Sequence, residues 1–375
     1  MKAITVYPLR REVKLVQLDE PAIAAPTQVR MRTLQVGVCG TDKEICAFDY
    51  GTPPDGSDGL VIGHESLMEI VETGSGVAGF KPGDLIVPMV RRPCPHDWCD
   101  PCRVGRQDFC VSGDFTERGI KQANGYMAEY VVEDQQYLHL VPPALREVAV
   151  LVEPLTIAQK ALRQVREIQQ RLPWQVRHGE GETRHRAVVL GGGPVGLLGA
   201  MSLVADGFDT CVYSRAADGD PRVALAESIG IKFVHAEATS VEQLAAGAGN
   251  IDLVYEAVGA SSLAFEVMQV LGTNGIFVFT GVPGRRGPIQ VDTDRLMRSL
   301  VLKNQVVLGT VNAGRDAFEA AIASLGVFME KWPGAVRGLI TGRYAIEDFA
   351  DPLSGKAPGI KNVIDFGAKA GMESA

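Results

Sequence analysis

A glycine-rich loop between a predicted strand and a predicted helix places the strongest limit on how this chain folds. The loop, residues 191–196, reads Gly-Gly-Gly-Pro-Val-Gly, follows the apolar run AVVL and opens the helical stretch GLLGAMSLVA. In the pattern G-x-G-x-x-G, the first glycine makes a tight turn, the second lets the backbone approach a pyrophosphate, and the third lets the helix pack on the strand. The loop therefore predicts a doubly wound, Rossmann-type parallel sheet that binds a dinucleotide. The residues expected at the cofactor are Gly191, Gly193, Pro194, Val195 and Gly196.

The end of the next strand bears on which dinucleotide is bound. There DTCVY runs into Ser214 and Arg215, with no carboxylate before Asp218. A carboxylate would hydrogen-bond the ribose hydroxyls of NAD and repel a 2′-phosphate, whereas a hydroxyl and a guanidinium suit the 2′-phosphate of NADP. The sequence favours NADP and leaves open the use of both cofactors. The alternative is that Arg215 is a solvated loop residue.

The pattern of predicted secondary structure changes near Leu151. Before it, short strands separated by Gly, Pro and Asp turns predict an irregular, barrel-like β domain. After it, strands alternate with helices, which is typical of βαβ units and a parallel sheet. The end of the chain carries one helical stretch and a strand around NVIDF and is expected to fold back on the first domain. We therefore expect an α/β protein with a catalytic domain at 1–155, a cofactor domain at 156–309 and a return segment at 310–375.

Composition excludes several classes of protein. The 375 residues are 46% hydrophobic and 22% charged, as in an ordinary globular protein. The net charge of −8 argues against nucleic-acid or anionic-membrane partners. No apolar run reaches the roughly 18 residues of a membrane helix, and the N-terminal stretch lacks the features of a signal peptide, so we expect a cytoplasmic protein.

Four of the seven cysteines lie close together in the chain. In a reducing compartment, such clustering suggests metal ligation before disulfides. Four thiolates at this spacing can close a tetrahedral, structural zinc site. The alternative is four reduced cysteines packed in a turn-rich segment, but the prolines and Asp100 around them argue against a hydrophobic core there. His96 could replace one cysteine as a zinc ligand, although an exposed position is expected for it. The predicted ligands are Cys94, Cys99, Cys102 and Cys110.

A second set of candidate ligands is dispersed along the chain. Cys39 lies in VGVCGTD, His64 and Glu65 lie in IGHES, and Glu153 lies in LVEPL. Each residue alone is ordinary. Together they offer a thiolate, an imidazole and carboxylates, the ligand types of a catalytic zinc with an open position.

These residues, in this order, resemble the zinc-containing medium-chain dehydrogenase/reductase superfamily, which joins a GroES-like irregular β-barrel catalytic domain to a Rossmann domain. The resemblance runs from Cys39 to Asn312 through GVCGTD, GHE, the cysteine segment and the glycine loop. Other strings are most similar to the glucose (aldose) 1-dehydrogenases: VPMVRRPC, GRQDFC, TERGI, LVEPLTIAQKAL and GTVN. The polar insert RLPWQVRHGEGETRHR belongs with them, because simple alcohol dehydrogenases of the superfamily usually lack it.

The resemblance implies roles for individual residues. Cys39, His64 and Glu65 would ligate zinc, and Glu153 would do so directly or through water. Thr41 would contact the substrate hydroxyl and relay its proton. The sugar would be hydrogen-bonded by Glu117, Glu153 and Asn312. The glycine loop and further residues would line the cofactor, namely Ser214, Arg215, Thr280, Gly281, Val282, Thr310, Val311, Asn312 and Lys361. A homodimer or homotetramer is also implied.

The chain departs from the family pattern at three places. Val90 stands where some members carry an asparagine that grips the sugar, and Ile157 replaces an acidic residue of some members. These two differences bear on which sugar is bound, not on the type of reaction. The gap between Cys94 and Cys99 is two residues longer than usual and bears only on the geometry of that loop.

The sequence therefore predicts a zinc-dependent enzyme that oxidises an aldose, glucose or a relative such as galactose, at C1 to the aldono-lactone with NADP or NAD. One alternative is a zinc alcohol or polyol dehydrogenase with a different pocket, although Glu117 and the polar insert favour a sugar, whose hydroxyls need buried polar partners. Another alternative is a dinucleotide-binding protein without catalysis, which would be expected to lack Cys39, His64 and Glu65. A third alternative is an interaction module built on the four cysteines. The net negative charge and the intact glycine loop argue against it.

Overall fold

The computed structural model describes residues 1–172, 185–217, 219–284 and 287–367. Most of the polar insert at 171–186, and Asp218, lie outside the described residues. The chain forms two compact units. The first unit comprises Met1–Thr156, Asn312–Glu330 and the chain from Val336, and the second comprises Ile157–Val311 and Lys331–Ala335.

The first part of the chain folds into short, mostly antiparallel strands. In the longest of them, Val29, Met31 and Thr33 are buried and alternate with Arg30 and Arg32, the period of two expected where one face of a sheet covers a core. The strands are β1 (Lys2–Tyr7), β2 (Glu12–Gln17), β3 (Gln28–Gly37), β4 (Leu60–Val61), β5 (Glu65–Thr73), β6 (Leu85–Pro88), β7 (Arg91–Arg92), β8 (Thr116–Arg118), β9 (Gln122–Ala123), β10 (Tyr130–Asp134) and β11 (Leu138–Val141). Two short helices, α1 (Gly40–Cys46) and α2 (Asp100–Arg103), interrupt them.

The second unit contains a six-stranded sheet in which every strand pair is parallel. Its elements are α3 (Val152–Gln169, whose first five residues belong to the first unit), β12 (Arg186–Leu190), α4 (Pro194–Ala205), β13 (Asp209–Ser214), α5 (Pro221–Ser228), β14 (Lys232–His235), α6 (Val241–Ala248), β15 (Leu253–Glu256), α7 (Ser261–Met268), β16 (Ile276–Phe279), α8 (Thr293–Leu302) and β17 (Val306–Gly309). The strand order β14-β13-β12-β15-β16-β17 reverses direction at β12, the Rossmann arrangement, whose ligands bind at the carboxyl ends of the strands beside that reversal.

The end of the chain completes the main sheet of the first unit. Its elements are α9 (Arg315–Lys331), α10 (Pro333–Gly338), β18 (Ile340–Ala345), α11 (Ala350–Ser354) and β19 (Lys361–Asp365). Strand β19 pairs antiparallel with β3 and parallel with β18. The resulting seven-stranded sheet has the order β11-β6-β5-β3-β19-β18, with β10 also paired to β3.

The predicted α/β class is confirmed, with an irregular β domain and a parallel-sheet domain. Over the part of the chain that the structure describes, none of the helices combines the length and the apolar character needed to cross a bilayer.

In the first unit, the buried carboxylate of Glu133 forms an ion network with two partly buried arginines. Oε2 of Glu133 accepts hydrogen bonds from Arg92 and, at 2.9 Å, from Nε of Arg118. Oε1 of Glu133 accepts the backbone N–H of Asp134 at 3.0 Å, so both carboxylate oxygens are engaged. Burial by itself would raise the pKa of Glu133, but the two guanidinium groups hold that pKa below its usual value.

This network should make the stability of the protein sensitive to acid. A carboxyl group whose folded pKa is lowered stabilises the fold above its unfolded pKa, so its contribution is complete above about pH 4.5 and is lost as the pH falls through the lower folded value. Glu133→Gln should lower the free energy of unfolding at neutral pH by about 3 kcal/mol, because two guanidinium groups lose their counter-charge. Thermal melts at neutral and acidic pH measure both effects. The melting temperature of the variant should fall less on acidification than that of the wild type, and an equal fall in both would contradict the assignment.

Candidate metal centre and cofactor loop

Two neighbouring strands of the first unit bring the dispersed ligand set together. Cys39 follows β3 and forms the N-cap of α1, while His64 comes directly before β5. The strands pair antiparallel with Gly37 opposite Glu65, so the end of one strand meets the start of the other. The ligand atoms of Cys39, His64 and Glu65 all lie within 4.8 Å of one another.

Glu153 lies near this cluster without belonging to it. Its carboxyl group is not among the ligand atoms that meet within 4.8 Å in the described residues. Burial raises the pKa of Glu153 to about 7, and the charges of His64 and Glu65 act on the same group in opposite directions. Glu153 therefore lies within electrostatic reach of the cluster, at the start of α3.

Asp42 holds two members of the cluster in place and was missed by the sequence analysis. Its Oδ2 accepts the backbone N–H of Cys39 at 2.8 Å, and its Oδ1 lies 3.4 Å from Nδ1 of His64. Burial works to lower the pKa of His64, but the Asp42 carboxylate raises it well above its usual value. With Nδ1 turned to Asp42, Nε2 of His64 is left to ligate a metal ion. The signal was present in the string GTD, where an acidic residue stands three positions after the N-cap.

Glu65 has a buried cationic partner. Lys361, at the start of β19, forms an ion pair with Oε2 of Glu65, and both side chains are almost fully buried. The Nζ of Lys361 also donates to the carbonyl of Val38 at 3.1 Å. A side chain at Gly37 would overlap Glu65, which explains why glycine precedes the Val-Cys pair. The resemblance predicted that Lys361 lines the cofactor. In the structure, its ammonium group is paired with Glu65, a predicted zinc ligand.

The four clustered cysteines also converge. We call residues 94–110 the cysteine lobe; its four sulfur atoms all lie within 4.8 Å of one another. The Sγ atoms of Cys99 and Cys110 are 3.8 Å apart, far longer than the roughly 2.05 Å of a disulfide bond. His96 is not in this group and instead places Nε2 at 2.5 Å from Asp114.

Hydrogen bonds favour the thiolate form at one cysteine of the lobe. The hydroxyl of Ser112 lies 3.3 Å from Sγ of Cys110. Burial opposes ionisation, but the Ser112 hydroxyl and backbone N–H groups lower the pKa of Cys110 to about 6. Four sulfur atoms within 4.8 Å of one another are the donor set of a closed, structural zinc site.

Two of the predicted sugar-binding residues are in direct contact. Nδ2 of Asn312 donates to Oε1 of Glu117 at 3.0 Å, although 195 positions separate the two residues. Arg91, which the sequence analysis did not single out, donates to the same oxygen from Nε at 3.0 Å. Thr41 lies in the first turn of α1, with its Oγ1 at 3.9 Å from Sγ of Cys39.

The turn that carries Glu117 packs against the metal-ligand segment. The backbone N–H of Lys121 donates to the carbonyl of Glu117 at 2.9 Å and closes this turn. Gly119, at φ +73°, lies so close to Gly63 that a Cβ would overlap the Gly63 carbonyl. Because His64 follows Gly63 directly, this backbone contact places the Glu117 turn next to the segment that carries a predicted metal ligand.

The glycine loop of the second unit has the local geometry that its sequence predicts. Gly191 has φ +102°, and a Cβ on Gly196 would overlap the Gly191 carbonyl. Gly193 is the N-cap of α4 and Pro194 is its first residue, so the helix N-terminus opens directly at the loop. Val195 follows in the first turn. Such an N-terminus is suited to a phosphate group.

The residues that bear on cofactor choice lie at the end of β13. Ser214 is the last residue of the strand, and Arg215 after it is exposed. The carbonyl of Arg215 accepts a hydrogen bond from Nη2 of Arg222 at 3.3 Å. Arg222 is itself held by Asp220 at the start of α5, so it is a second guanidinium beside this turn that the sequence analysis did not name.

A buried carboxylate fastens the two loops that follow β15 and β16. Glu256 accepts backbone N–H groups from Val258 at 2.9 Å, Gly259 at 2.6 Å and Gly281 at 3.1 Å. Thr280 also donates its hydroxyl to the Glu256 carbonyl at 2.6 Å. This clasp fixes the predicted cofactor segment that contains Thr280, Gly281 and the exposed Val282. The feature of the sequence that could have indicated this role is the single acidic residue at the end of the otherwise uncharged strand LVYE.

The remaining predicted cofactor segment follows β17. Thr310 donates its backbone N–H to the carbonyl of Phe279 at 3.0 Å. The carbonyl of Val311 accepts a hydrogen bond from Nζ of the buried Lys160 at 3.0 Å. Both ends of this short segment are thus fixed within the second unit.

Two family models match the chain. The model of the glucose dehydrogenase C-terminus matches residues 146–366, and the model of the alcohol dehydrogenase GroES-like domain matches residues 25–143. The glucose 1-dehydrogenase of Methanocella arvoryzae is 38% identical over 369 residues, which cover 98% of this chain and 100% of that protein. The glucose 1-dehydrogenase of Thermoproteus tenax is 37% identical, with 94% of this chain and 95% of that protein covered.

A solved structure is also similar over nearly the whole chain. It is that of Haloferax mediterranei glucose dehydrogenase in complex with NADP, Zn and gluconolactone. The TM-score is 0.87 at 29% identity, with 98% of this chain and 100% of that chain covered.

The contacts of Asp42 lead to a prediction about metal affinity. Asp42→Asn removes the charge that orients His64, so zinc affinity at the Cys39 cluster should fall by about 10-fold to 100-fold. Zinc in the cysteine lobe should remain bound. The measurement is zinc content after dialysis against graded chelator. Asp252→Asn, which alters an Asp–His pair in the second unit, is the matched control; equal zinc retention in both variants would refute the role of Asp42.

Proposed function

The chain belongs to the glucose dehydrogenase family of the zinc-containing medium-chain dehydrogenases, and from this premise we propose that it oxidises an aldose at C1. The substrate is glucose or a related sugar such as galactose, and the oxidant is NADP⁺ or NAD⁺. The products are the aldono-lactone, the reduced dinucleotide and a proton. The observation that carries the proposal is the Cys39, His64 and Glu65 cluster, against which the turn bearing Glu117 packs.

The residues of both metal clusters fit zinc. A thiolate, an imidazole and a carboxylate within 4.8 Å of one another are three protein ligands, the number that leaves a position open at a catalytic site. Four thiolates leave no such position and suit a structural ion. The Haloferax relative contains Zn, which supports this proposal.

The chain's own residues position the sugar and its proton. When bound, zinc supplies a Lewis acid that lowers the pKa of the substrate hydroxyl, and the nicotinamide supplies the hydride acceptor. The hydroxyl of Thr41, beside Cys39, accepts the proton of the anomeric hydroxyl and relays it to water. Glu117, Asn312 and Glu153 hydrogen-bond the other hydroxyls and so hold C1 in position for transfer.

The second unit supplies the dinucleotide site. We propose that the pyrophosphate lies at the N-terminus of α4 and that Ser214 and Arg215 bind a 2′-phosphate. The loops fastened by Glu256 and the segment Thr310–Val311 complete the lining. NADP in the Haloferax relative supports this choice, and use of NAD as well remains compatible with the site.

We further propose that the protein is a cytoplasmic homodimer or homotetramer. The outer strand β17 exposes Val307, and the adjacent helix α8 exposes Met297, Val301 and Leu302. An outer strand with unpaired backbone groups and apolar neighbours is suited to pairing with a second copy. A reducing cytoplasm keeps the cysteines of both metal sites free to ligate.

An aldose accounts for the buried polar side chains better than a simple alcohol does. Glu117 and Arg91 are both more than nine-tenths buried. Buried polar groups discriminate strongly for a substrate that pairs with them, because an analogue without the hydroxyl leaves them unpaired. A polyol or alcohol dehydrogenase with a different pocket stays the alternative, and a panel of aldoses and polyols with NADP and NAD, read by nicotinamide absorbance, separates the two.

Removal of a predicted catalytic ligand tests the reaction. Cys39→Ala and His64→Ala should each abolish aldose oxidation while leaving dinucleotide binding, followed by nicotinamide fluorescence, largely intact. Cys46→Ala is the matched control, because Cys46 is a free thiol at the end of α1 that is not in the ligand cluster. Normal turnover in the Cys39 or His64 variant would remove the catalytic-zinc assignment.

A second substitution tests cofactor choice. Arg215→Ala should raise the Michaelis constant for NADP more than that for NAD, because only NADP carries the 2′-phosphate. The matched control is Arg298→Ala, another exposed arginine of the second unit. Equal effects of Arg215→Ala on the two cofactors would show that this guanidinium does not bind the 2′-phosphate.

A further inference from the structure

We propose that Arg91 is a positioning residue, which fixes the carboxylate of Glu117 so that one oxygen of this group is presented to the sugar. The proposal rests on the proposed function, because it assigns Glu117 to the substrate. Arg91 itself contacts the carboxylate and not the sugar.

The hydrogen bonds that the described residues donate to Glu117 all go to one of its two oxygens. Oε1 accepts hydrogen bonds from Nε of Arg91 and Nδ2 of Asn312, each at 3.0 Å, and lies 3.0 Å from Nη2 of Arg91 in the same ion pair. Among the described residues, none donates a hydrogen bond to Oε2. A carboxylate accepts through both oxygens, so this one-sided arrangement leaves Oε2 to accept from a ligand hydroxyl.

Arg91 is held rigidly enough to act as this support. Its guanidinium carbon lies 3.6 Å from the centre of the Phe115 ring. Its backbone carbonyl accepts Nε2 of Gln107 at 3.3 Å, and its Nη1 lies 3.5 Å from the carbonyl of Gln107. Gln107 stands between Cys102 and Cys110, so the cysteine lobe anchors the arginine. A planar guanidinium fixed on three sides orients a carboxylate in a way that the flexible ammonium of lysine does not.

A neighbouring ion network shows what a purely structural arrangement looks like in this protein. Glu133 uses both oxygens on protein donors, Oε2 on Arg92 and Arg118 and Oε1 on the backbone of Asp134. Glu117 is as buried as Glu133 but pairs with one arginine rather than two, and among the described residues its second oxygen has no protein donor. Buried ion pairs contribute little net stability compared with apolar packing. The asymmetry of the Arg91–Glu117 pair therefore points to recognition of a ligand.

The location of the pair is consistent with this role. The turn that begins at Glu117 packs on the backbone of Gly63, next to the metal ligand His64. The following strand segment is also tied to the chain after α1, because Thr52 donates its N–H to the carbonyl of Ile120 at 2.9 Å. The turn that begins at Glu117 is thus held by backbone contacts against the segment before His64 and against the chain after α1.

The test compares Arg91→Lys with Arg92→Lys, since the two arginines are adjacent and each is paired to a buried carboxylate. Arg91→Lys should raise the Michaelis constant for the sugar by about 10-fold to 100-fold. Its kcat should fall less, and its dissociation constant for NADPH should match that of the wild type.

Arg92→Lys should lower the melting temperature and leave the Michaelis constant for the sugar unchanged. Gln107→Ala, which loosens Arg91 without removing it, should give a smaller rise and serves where Arg91→Lys fails to fold.

A double-mutant cycle tests whether Arg91 affects sugar binding through Glu117. If Arg91 acts through Glu117, Arg91→Lys combined with Glu117→Gln should bind sugar no worse than Glu117→Gln alone. Additive losses, or an unchanged sugar Michaelis constant in both Arg91→Lys and Gln107→Ala, would overturn the role of Arg91 while the aldose assignment stands. Failure of the wild type to oxidise any aldose would overturn both.

Discussion

The antiparallel pairing of β3 with β5 is the constraint on which the candidate active site depends. It sets Gly37 opposite Glu65, so that Cys39 after one strand and His64 before the other reach the same end of the sheet. The pairing also explains the glycine at position 37, because a side chain there would enter the space of the Glu65 carboxylate. A slip of one residue would turn Glu65 to the opposite face and separate the ligands.

Three buried pairs of opposite charge belong to the candidate site. Asp42 faces His64, Lys361 faces Glu65, and Arg91 faces Glu117. Burial of any one of these groups without its partner would cost several kcal/mol, so each pair also fixes the elements that carry it. The last strand of the chain, β19, contributes Lys361, and the segment before α9 contributes Asn312. The end of the chain thus serves the site as well as the sheet.

The second unit uses backbone rather than side-chain charge to prepare its ligand site. Close contact between Gly191 and Gly196 brings a helix N-terminus to the end of β12, which favours an anion. Glu256 draws together the backbones of the loops after β15 and β16, where Gly259 and Gly281 approach closely enough that a side chain on Gly281 would collide. The predicted cofactor loops are thus held together mainly by contacts of main-chain atoms.

Features that depend on neighbours in the chain were determined by the sequence alone. The glycine loop, the cysteine lobe and the alternation of strands and helices predicted the Rossmann unit, the four-sulfur cluster and the α/β class, because turn geometry and ligand spacing are local properties. Cys39, His64 and Glu65 were candidate ligands by their donor types, and the resemblance to a known family joined them into one site, which their spacing alone would not do. Only the tertiary structure revealed Arg91 on Glu117, Lys361 on Glu65 and Glu256 as a clasp, and it did so because strand register and loop packing decide contacts between residues far apart in the chain. Asn312 meets Glu117 across 195 positions and Lys361 meets Val38 across 323, and no periodicity in the sequence encodes such pairs.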